Sequence, residues 1–228
     1  MLHTMWSVKG GSGVTVTSAA LSTLMARRAG RAVAVDLCGD LPAAMGLSEP
    51  AGPGVFDWLA GSGDHEALGR LMVPVDDRLS VLPRGGALRG DPGEDRDRVG
   101  DLVAALDRLG CPVVVDAGVR DPLDVGDAST ARRRDLLGRL AVAGRSLLVT
   151  RACYLSLRRA LWFDHPPDGV VLIDDGDRVL DAGDVFLLLD LPVLATVHAD
   201  SSVARAVDAG LLVRRLHRSL RDPLESVA

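Results

Sequence analysis

Apolar and polar positions along the chain fall into short β-branched runs separated by longer stretches with helical spacing. Met5–Val8 is predicted as a strand. In Thr15–Arg28 the apolar residues Ala20, Leu21, Leu24 and Met25 recur at helix spacing, and Gly30 stands where a residue just past a helix end is expected. Ala32–Val35 is a second strand and ends at Asp36. Val55–Ala60 and His65–Leu71 read as short helices, Leu79–Leu82 as a third strand ending in Pro83-Arg84-Gly85-Gly86. Asp97–Leu109 is an amphipathic helix with Val99, Leu102, Val103, Leu106 and Leu109 on one stripe. Pro112–Val115 is a strand that runs into Asp116. The alternation continues with a helix over Arg133–Val142, a strand over Ser146–Thr150 and a helix over Leu155–Trp162. It ends with a strand over Val170–Ile173, a helix over Asp184–Leu189, a strand over Val193–Val197 and a last helix over Val203–Leu220, in which Gly210 is a point of interruption. Residues 87–96 and Asp121–Thr130 are polar and read as loops.

Strands that are apolar on both faces and alternate with helices imply a mostly parallel sheet flanked by helices on both faces, an α/β fold. In such a fold ligands gather at the carboxyl ends of the strands. Lys9, Asp36 and Asp116 each follow a strand directly, so all three are expected on that edge. No repeat or linker divides the sequence, and residues 1–228 read as a single domain.

Composition narrows the function classes. The chain has 228 residues, 47% hydrophobic and 25% charged, which suits one globular domain with a sizeable core. Its 26 basic and 31 acidic residues give a net charge of −5, so no global field draws it to nucleic acid or anionic membrane. Arg132-Arg133-Arg134, Arg158-Arg159 and the group Arg214, Arg215, Arg218 and Arg221 read as solvated helix faces. Leu212, Leu216 and Leu220 recur every four residues between those last arginines. That stripe reads first as a helix packed on the sheet and second as a membrane-surface helix. Cys38, Cys111 and Cys153 are widely spaced and odd in number, against both a disulfide framework and a zinc site. No leader-like or membrane-spanning run is seen, so a cytoplasmic location is expected. Aromatic residues are 3% of the chain, too few for a base-stacking surface. The five histidines form no spacing pattern.

One loop carries more. Lys9 is the sole lysine of the chain and lies in Lys9-Gly10-Gly11-Ser12-Gly13-Val14-Thr15, between a strand and a helix. Glycines there let backbone N–H groups approach phosphate oxygens, and the helix N-terminus adds partial positive charge. The segment resembles the deviant Walker A loop of the ParA/MinD family of P-loop ATPases, K-G-G-x-G-K-[ST]. Other segments agree in order: Val33–Asp40 is similar to the family's switch I strand, Pro112–Gly118 to its Walker B strand, and Leu191–Val197 with Arg205–Gly210 to its closing strand and helix.

The resemblance implies a P-loop fold, with ATP or ADP and Mg²⁺ as cofactors. It implies nucleotide contacts from Lys9, Gly10, Gly11, Ser12, Gly13, Val14, Thr15 and Val16. Metal contacts would come from Thr15 and Asp116, and catalytic roles fall to Lys9, Asp36 and Asp116. Lys9 matches the lysine that reaches a partner's nucleotide across a dimer. A homodimer, or a heterodimer with a related ATPase, is therefore expected, together with a further protein partner. A nucleic-acid or membrane surface has no support from the charge pattern.

Three positions depart from the family. Val14 stands where the in-cis lysine belongs. Cys38 stands at the second carboxylate of D-x-D, and Asp40, two residues on, has the wrong spacing to replace it. The strand Val170–Ile173 ends in Asp174-Asp175 where an asparagine reads adenine. The resulting expectation is a partitioning or cell-organisation scaffold with weak or no ATP hydrolysis. The alternative is an ATP-dependent dimerising ATPase that uses Lys9 for phosphate charge, and a third reading is a metabolic ATP-dependent enzyme on the same fold.

Overall fold

The computed structural model describes residues 1–86, 97–120, 128–163, 165–176 and 178–228. The predicted 87–96 loop, residues 121–127 and the side chains of Arg132, Arg133 and Arg134 lie outside the described residues. In chain order the first half runs β1 (Leu2–Ser7), α1 (Val14–Ala29), β2 (Ala32–Asp36), α2 (Leu41–Ala44), α3 (Val55–Ala60), α4 (His65–Arg70), β3 (Val73–Pro74), β4 (Leu79–Leu82) and α5 (Arg98–Asp107). The second half runs β5 (Val113–Val119), α6 (Ala128–Ala143), β6 (Arg145–Arg151), α7 (Tyr154–Ala160), β7 (Gly169–Asp174), α8 (Ala182–Leu189), β8 (Val193–His198), α9 (Ser201–Asp208) and α10 (Arg218–Leu224).

The strands form one sheet of eight in the order β3-β4-β2-β5-β1-β6-β7-β8. All neighbours are parallel except the edge pair β3 and β4. Each interior strand feeds both sides of the core. Val113 and Val115 point into the cluster with α3, α4, α5, α6, α7 and α8, while Val114 points into the cluster with α1, α2 and α10. This is why the interior strands carry apolar residues on both faces rather than at alternate positions only.

Helix α1 lies between the sheet and α10, so residues 17–26 are all buried, polar ones included. Buried hydroxyls of Thr17, Ser22 and Thr23 bond back to the preceding turn: Ser22 Oγ donates to Ser18 O at 2.7 Å and Thr23 Oγ1 to Ala19 O at 2.7 Å. Gly30, at φ 80°, ends the helix in the left-handed conformation expected past a helix end.

The alternation of strands and helices follows the sequence reading, with these differences. β1 begins at Leu2, earlier than Met5. β5 runs on to Val119, so Asp116 lies within the strand and does not follow it. α2 and the two-residue β3 were not foreseen, being too short to show a period. α6 begins at Ala128, so the end of the expected Asp121–Thr130 loop is helical. The predicted helix Val203–Leu220 is two helices, α9 and α10, separated by non-helical chain. Gly210 ends the first at φ 65°, and its carbonyl packs so closely on Gly46 that a Cβ there would meet it at 2.2 Å.

Leu212, Leu216 and Leu220 are accordingly not one stripe of one helix. They are 0%, 9% and 2% exposed and belong to the core around α1. The membrane-surface reading of this segment is thereby corrected: its apolar side chains are already covered by protein. Among the described residues no helix is long and apolar enough to cross a membrane.

Leu220→Ala should cost about 2–4 kcal/mol by opening a cavity between α10 and α1. Urea denaturation would measure it. Flotation with anionic liposomes should recover wild type and variant equally, and a selective loss of recovery in the variant would contradict this packing.

Candidate functional site

The turn from β1 to α1 is folded by its own hydroxyls. Ser7 Oγ and Ser12 Oγ both donate to the Lys9 carbonyl, at 2.9 and 2.8 Å. Gly11 at φ 74° and Gly13 at φ 84° take the left-handed conformation that a side chain would strain. Space in front of the loop is open: a Cβ built on Gly10 or Gly11 meets nothing within 4 Å. Gly13 is the N-cap of α1 and makes no side-chain cap bond. The first-turn N–H groups of α1 have no acceptor within the helix and so face the loop with the positive end of its dipole.

Two carboxyl groups lie beside this helix start. Asp36 ends β2, Asp116 lies within β5, and the two are direct partners in the parallel register. Both side chains are fully buried. Asp36 Oδ1 accepts from the N–H groups of Cys38 and Gly39 at 2.9 and 2.8 Å. Asp116 Oδ1 accepts from the Gly118 N–H at 3.1 Å. The second oxygen of each, Oδ2, is buried with no hydrogen-bond partner.

Burial is the main cause that raises Asp116, to about 6; the Thr15 hydroxyl pulls it down and the Asp36 charge pushes it up again. Asp36 is also raised, chiefly by burial, against its backbone N–H donors. The exposed carboxylate of Asp40 adds to both by like-charge repulsion.

Thr15 and the two orphan oxygens form an all-oxygen donor set, the chemistry that suits Mg²⁺. No group of three or more His, Cys, Asp and Glu poised for a metal occurs among the described residues. A divalent ion here would thus take its remaining ligands from water and phosphate.

Of the residues expected at the site, Lys9, Gly10, Gly11, Ser12, Gly13, Thr15, Asp36 and Asp116 are gathered on this edge. Lys9 is exposed, and its ammonium has no ion-pair partner among the described residues. Val14 and Val16 turn their side chains to the core around α1, Val14 being 6% exposed, so each can offer a ligand only its N–H. Cys38 reaches the pair: its thiol lies 3.8 Å from Asp116 O and 4.0 Å from Oδ1. Asp174 is two strands away from β1, where its carboxylate accepts from the Gly176 N–H at 2.9 Å and lies 3.1 Å from His198 Nδ1. The end of β7 still touches the loop, since Ile173 is 3.7 Å from a Cβ built on Gly13.

Four residues at this edge escaped sequence reasoning. Arg84 lies over the Phe56 ring at 5.5 Å and against Gly39. Its only sequence signal is its place at a strand end. Arg120 donates its N–H to Ser7 O at 2.7 Å and stacks its guanidinium on Trp6 and Phe163. Arg159 Nη1 reaches Val8 O at 3.4 Å. Cys153 follows β6; burial raises its thiol, but its hydrogen bonds with Ser156 and the charges of Lys9 and Arg178 outweigh that and hold it below its ordinary value.

No protein-family model matches the sequence, and no curated protein matches it. Solved structures do. A ParA family ATPase from Chlorobium tepidum TLS superposes with a TM-score of 0.73 at 18% identity, over 99% of this chain and 98% of that one. The cell division ATPase MinD of Pyrococcus furiosus gives 0.71 at 22% identity over 100% and 99%. The septum site-determining protein MinD of Pyrococcus horikoshii OT3, complexed with Mg-ADP, gives 0.71 at 19% identity over 99% and 93%. The fold is that of the ParA/MinD P-loop ATPases. Its ParA/MinD-like topology places the glycine loop and both carboxyl groups on one edge of the sheet.

The pair gives a pH test. Asp116 moves from an ordinary 3.8 to about 6 on folding. The folded state therefore binds the proton more tightly, and stability from this group is full below about 4, falls as pH rises to about 6 and is level above that. Asp116→Asn should remove a slope on the order of 2–3 kcal/mol and raise Tm at pH 7.5. Melts of both proteins at pH 4.5 and 7.5 check this; parallel shifts would show that Asp116 titrates normally.

Proposed function

We propose that the chain is a ParA/MinD-like binding and positioning scaffold, of the partitioning or cell-organisation kind, that hydrolyses ATP weakly or not at all. The observation that carries this is position 14. Val14 opens α1 with its side chain 6% exposed in the core, where the family's loop has a lysine. Valine offers phosphate neither charge nor a side-chain donor. The loss of one charge-assisted contact weakens binding by roughly 1.5–3 kcal/mol, and it weighs more on the charge that develops during phosphoryl transfer.

What remains favours holding phosphate over cleaving it. The main-chain donors of Gly10, Gly11, Ser12 and Gly13 depend on no side chain. Thr15, Asp36 and Asp116 would hold Mg²⁺, which when bound neutralises phosphate oxygens. Cys38, at the second carboxylate position of D-x-D, is a soft, neutral ligand that suits neither Mg²⁺ nor the activation of water. Asp174 accepts hydrogen bonds but lacks the paired donor and acceptor with which an amide reads adenine.

One observation favours a second reading. The Lys9 ammonium is exposed and without an ion pair among the described residues. By resemblance it is the group that would supply charge across a nucleotide-dependent dimer, with a second copy or a related ATPase.

Calorimetric titration of Mg·ATP and Mg·ADP into the native chain and into Val14→Lys, with the fold of each checked by circular dichroism, separates these readings. Native binding at least about tenfold weaker than in Val14→Lys, without turnover, is expected from the missing contact. Multiple-turnover hydrolysis by the native chain that Asp116→Ala abolishes would overturn the proposal. Micromolar native binding, with Mg·ATP-dependent dimers lost in Lys9→Ala, would put the second reading first.

A further inference from the structure

Helices α7 and α8 pack side by side over the β6-β7-β8 end of the sheet, on the face opposite α1. Their inner sides are held by Leu157 and Val185, both within the core. Their outer sides are unusually apolar. On α7 Tyr154 is 68% exposed and Leu155 56%, and in the turn that follows Leu161 is 58% and Trp162 51%. On α8 Phe186 is 49% exposed, Leu187 78% and Leu188 48%.

Seven large apolar side chains on two neighbouring helices and the turn after α7 are thus about half exposed or more, whereas exposed apolar side chains on a monomer are ordinarily scattered singly. A concentration of this kind marks a surface that a partner covers.

The charges around the patch are divided by helix. α7 carries Arg158 and Arg159 and no acid. α8 carries Asp184 and is flanked by Asp181 and Asp190, with no basic residue. A surface that holds a basic apolar helix beside an acidic apolar helix is self-complementary under a two-fold axis, since each helix then meets its opposite. An anionic lipid surface would be repelled by the three aspartates along α8.

We propose that a second copy of this chain covers the patch. α7 of one protomer lies on α8 of its partner, with apolar side chains buried at the centre and arginine facing aspartate at the rim. The contact sits over β6, β7 and β8, whereas Asp36 and Asp116 lie on β2 and β5. None of its exposed apolar side chains belongs to the glycine loop, so the contact needs no nucleotide, although its α7 edge borders the loop, where Arg159 reaches Val8 O.

Sedimentation velocity of the full chain without nucleotide, over a micromolar concentration series, tests this. A dimer is expected, with its dissociation constant raised about tenfold or more in Leu187→Asp and in Trp162→Asp. Lys9→Ala should leave the dimer unchanged. Leu187 is 78% exposed, so its replacement does not threaten the fold; unchanged thermal melts would confirm that. A monomeric native chain overturns the proposal, as do two variants that dimerise like wild type. Recovery of a monomeric native chain, but not Leu187→Asp, on phosphatidylcholine–phosphatidylglycerol vesicles would also overturn it and give the patch to lipid. With nucleotide absent throughout, none of these outcomes bears on whether the loop binds ATP.

Discussion

Asp36 and Asp116 face one another across neighbouring strands with one oxygen each left without a partner, and a pair buried in this way has few stable states. One carboxyl can keep its proton, or a cation can sit between them, but two bare charges in a low-dielectric edge repel. The parallel sheet creates this constraint. β2 and β5 are apolar on both faces up to Asp36 and Asp116, and their pairing brings these two first polar positions into register. The backbone of residues 38 and 39 and of Gly118 then satisfies one oxygen of each carboxyl. The other oxygen is what gives the edge its chemistry.

Position 14 shows how stability and phosphate chemistry compete at the same helix start. A lysine as the first residue of α1 would bring its stem against the core cluster and its charge toward the loop. Valine adds apolar contact to that cluster and leaves the N-terminal N–H groups as the loop's main attraction for an anion. Those donors are indifferent to the identity of the side chain, which is why a glycine loop can keep its shape after its lysine is gone. Cys38 follows the same logic. A third carboxylate beside Asp36 and Asp116 would add a further like charge to a buried pair, and a thiol at 4.0 Å from Asp116 Oδ1 does not.

How much could be read in advance depended on whether a signal was local. Val33–Asp36, Pro112–Asp116 and the Lys9–Thr15 loop were legible because an unbroken apolar run, an aspartate that closes that run and closely spaced glycines each act within a few residues, although β5 continues past Asp116 to Val119. Leu212, Leu216 and Leu220 were misread as one helical stripe, because leucines every four residues look alike whether they line one helix or a turn and the helix after it. Gly210 was the only local hint, and its close approach to Gly46 is long-range. The Thr15 hydroxyl beside Asp116, Arg84 against Gly39 and His198 beside Asp174 join segments far apart in sequence, and periodicity is blind to them. The Phe186-Leu187-Leu188 run misleads in another way. It falls in the helix read over Asp184–Leu189 with nothing in the pattern to mark it as exposed, yet in α8 only Val185 is buried.

The two ends of the sheet thus make different demands. At the β2–β5 end a switch would require charge that appears with nucleotide, and the loop carries valine where the family it resembles has its in-cis lysine. At the β6–β8 end the apolar area is present whether or not anything occupies the loop. A protein whose dimer is governed by nucleotide gains nothing from a large permanent apolar patch, because a contact that never opens cannot report hydrolysis. A scaffold has the opposite need: it must stay assembled while its partners come and go. If the chain is the scaffold proposed, valine in the loop and leucine on the outside of α8 are consistent with one another, since neither calls for a response to nucleotide.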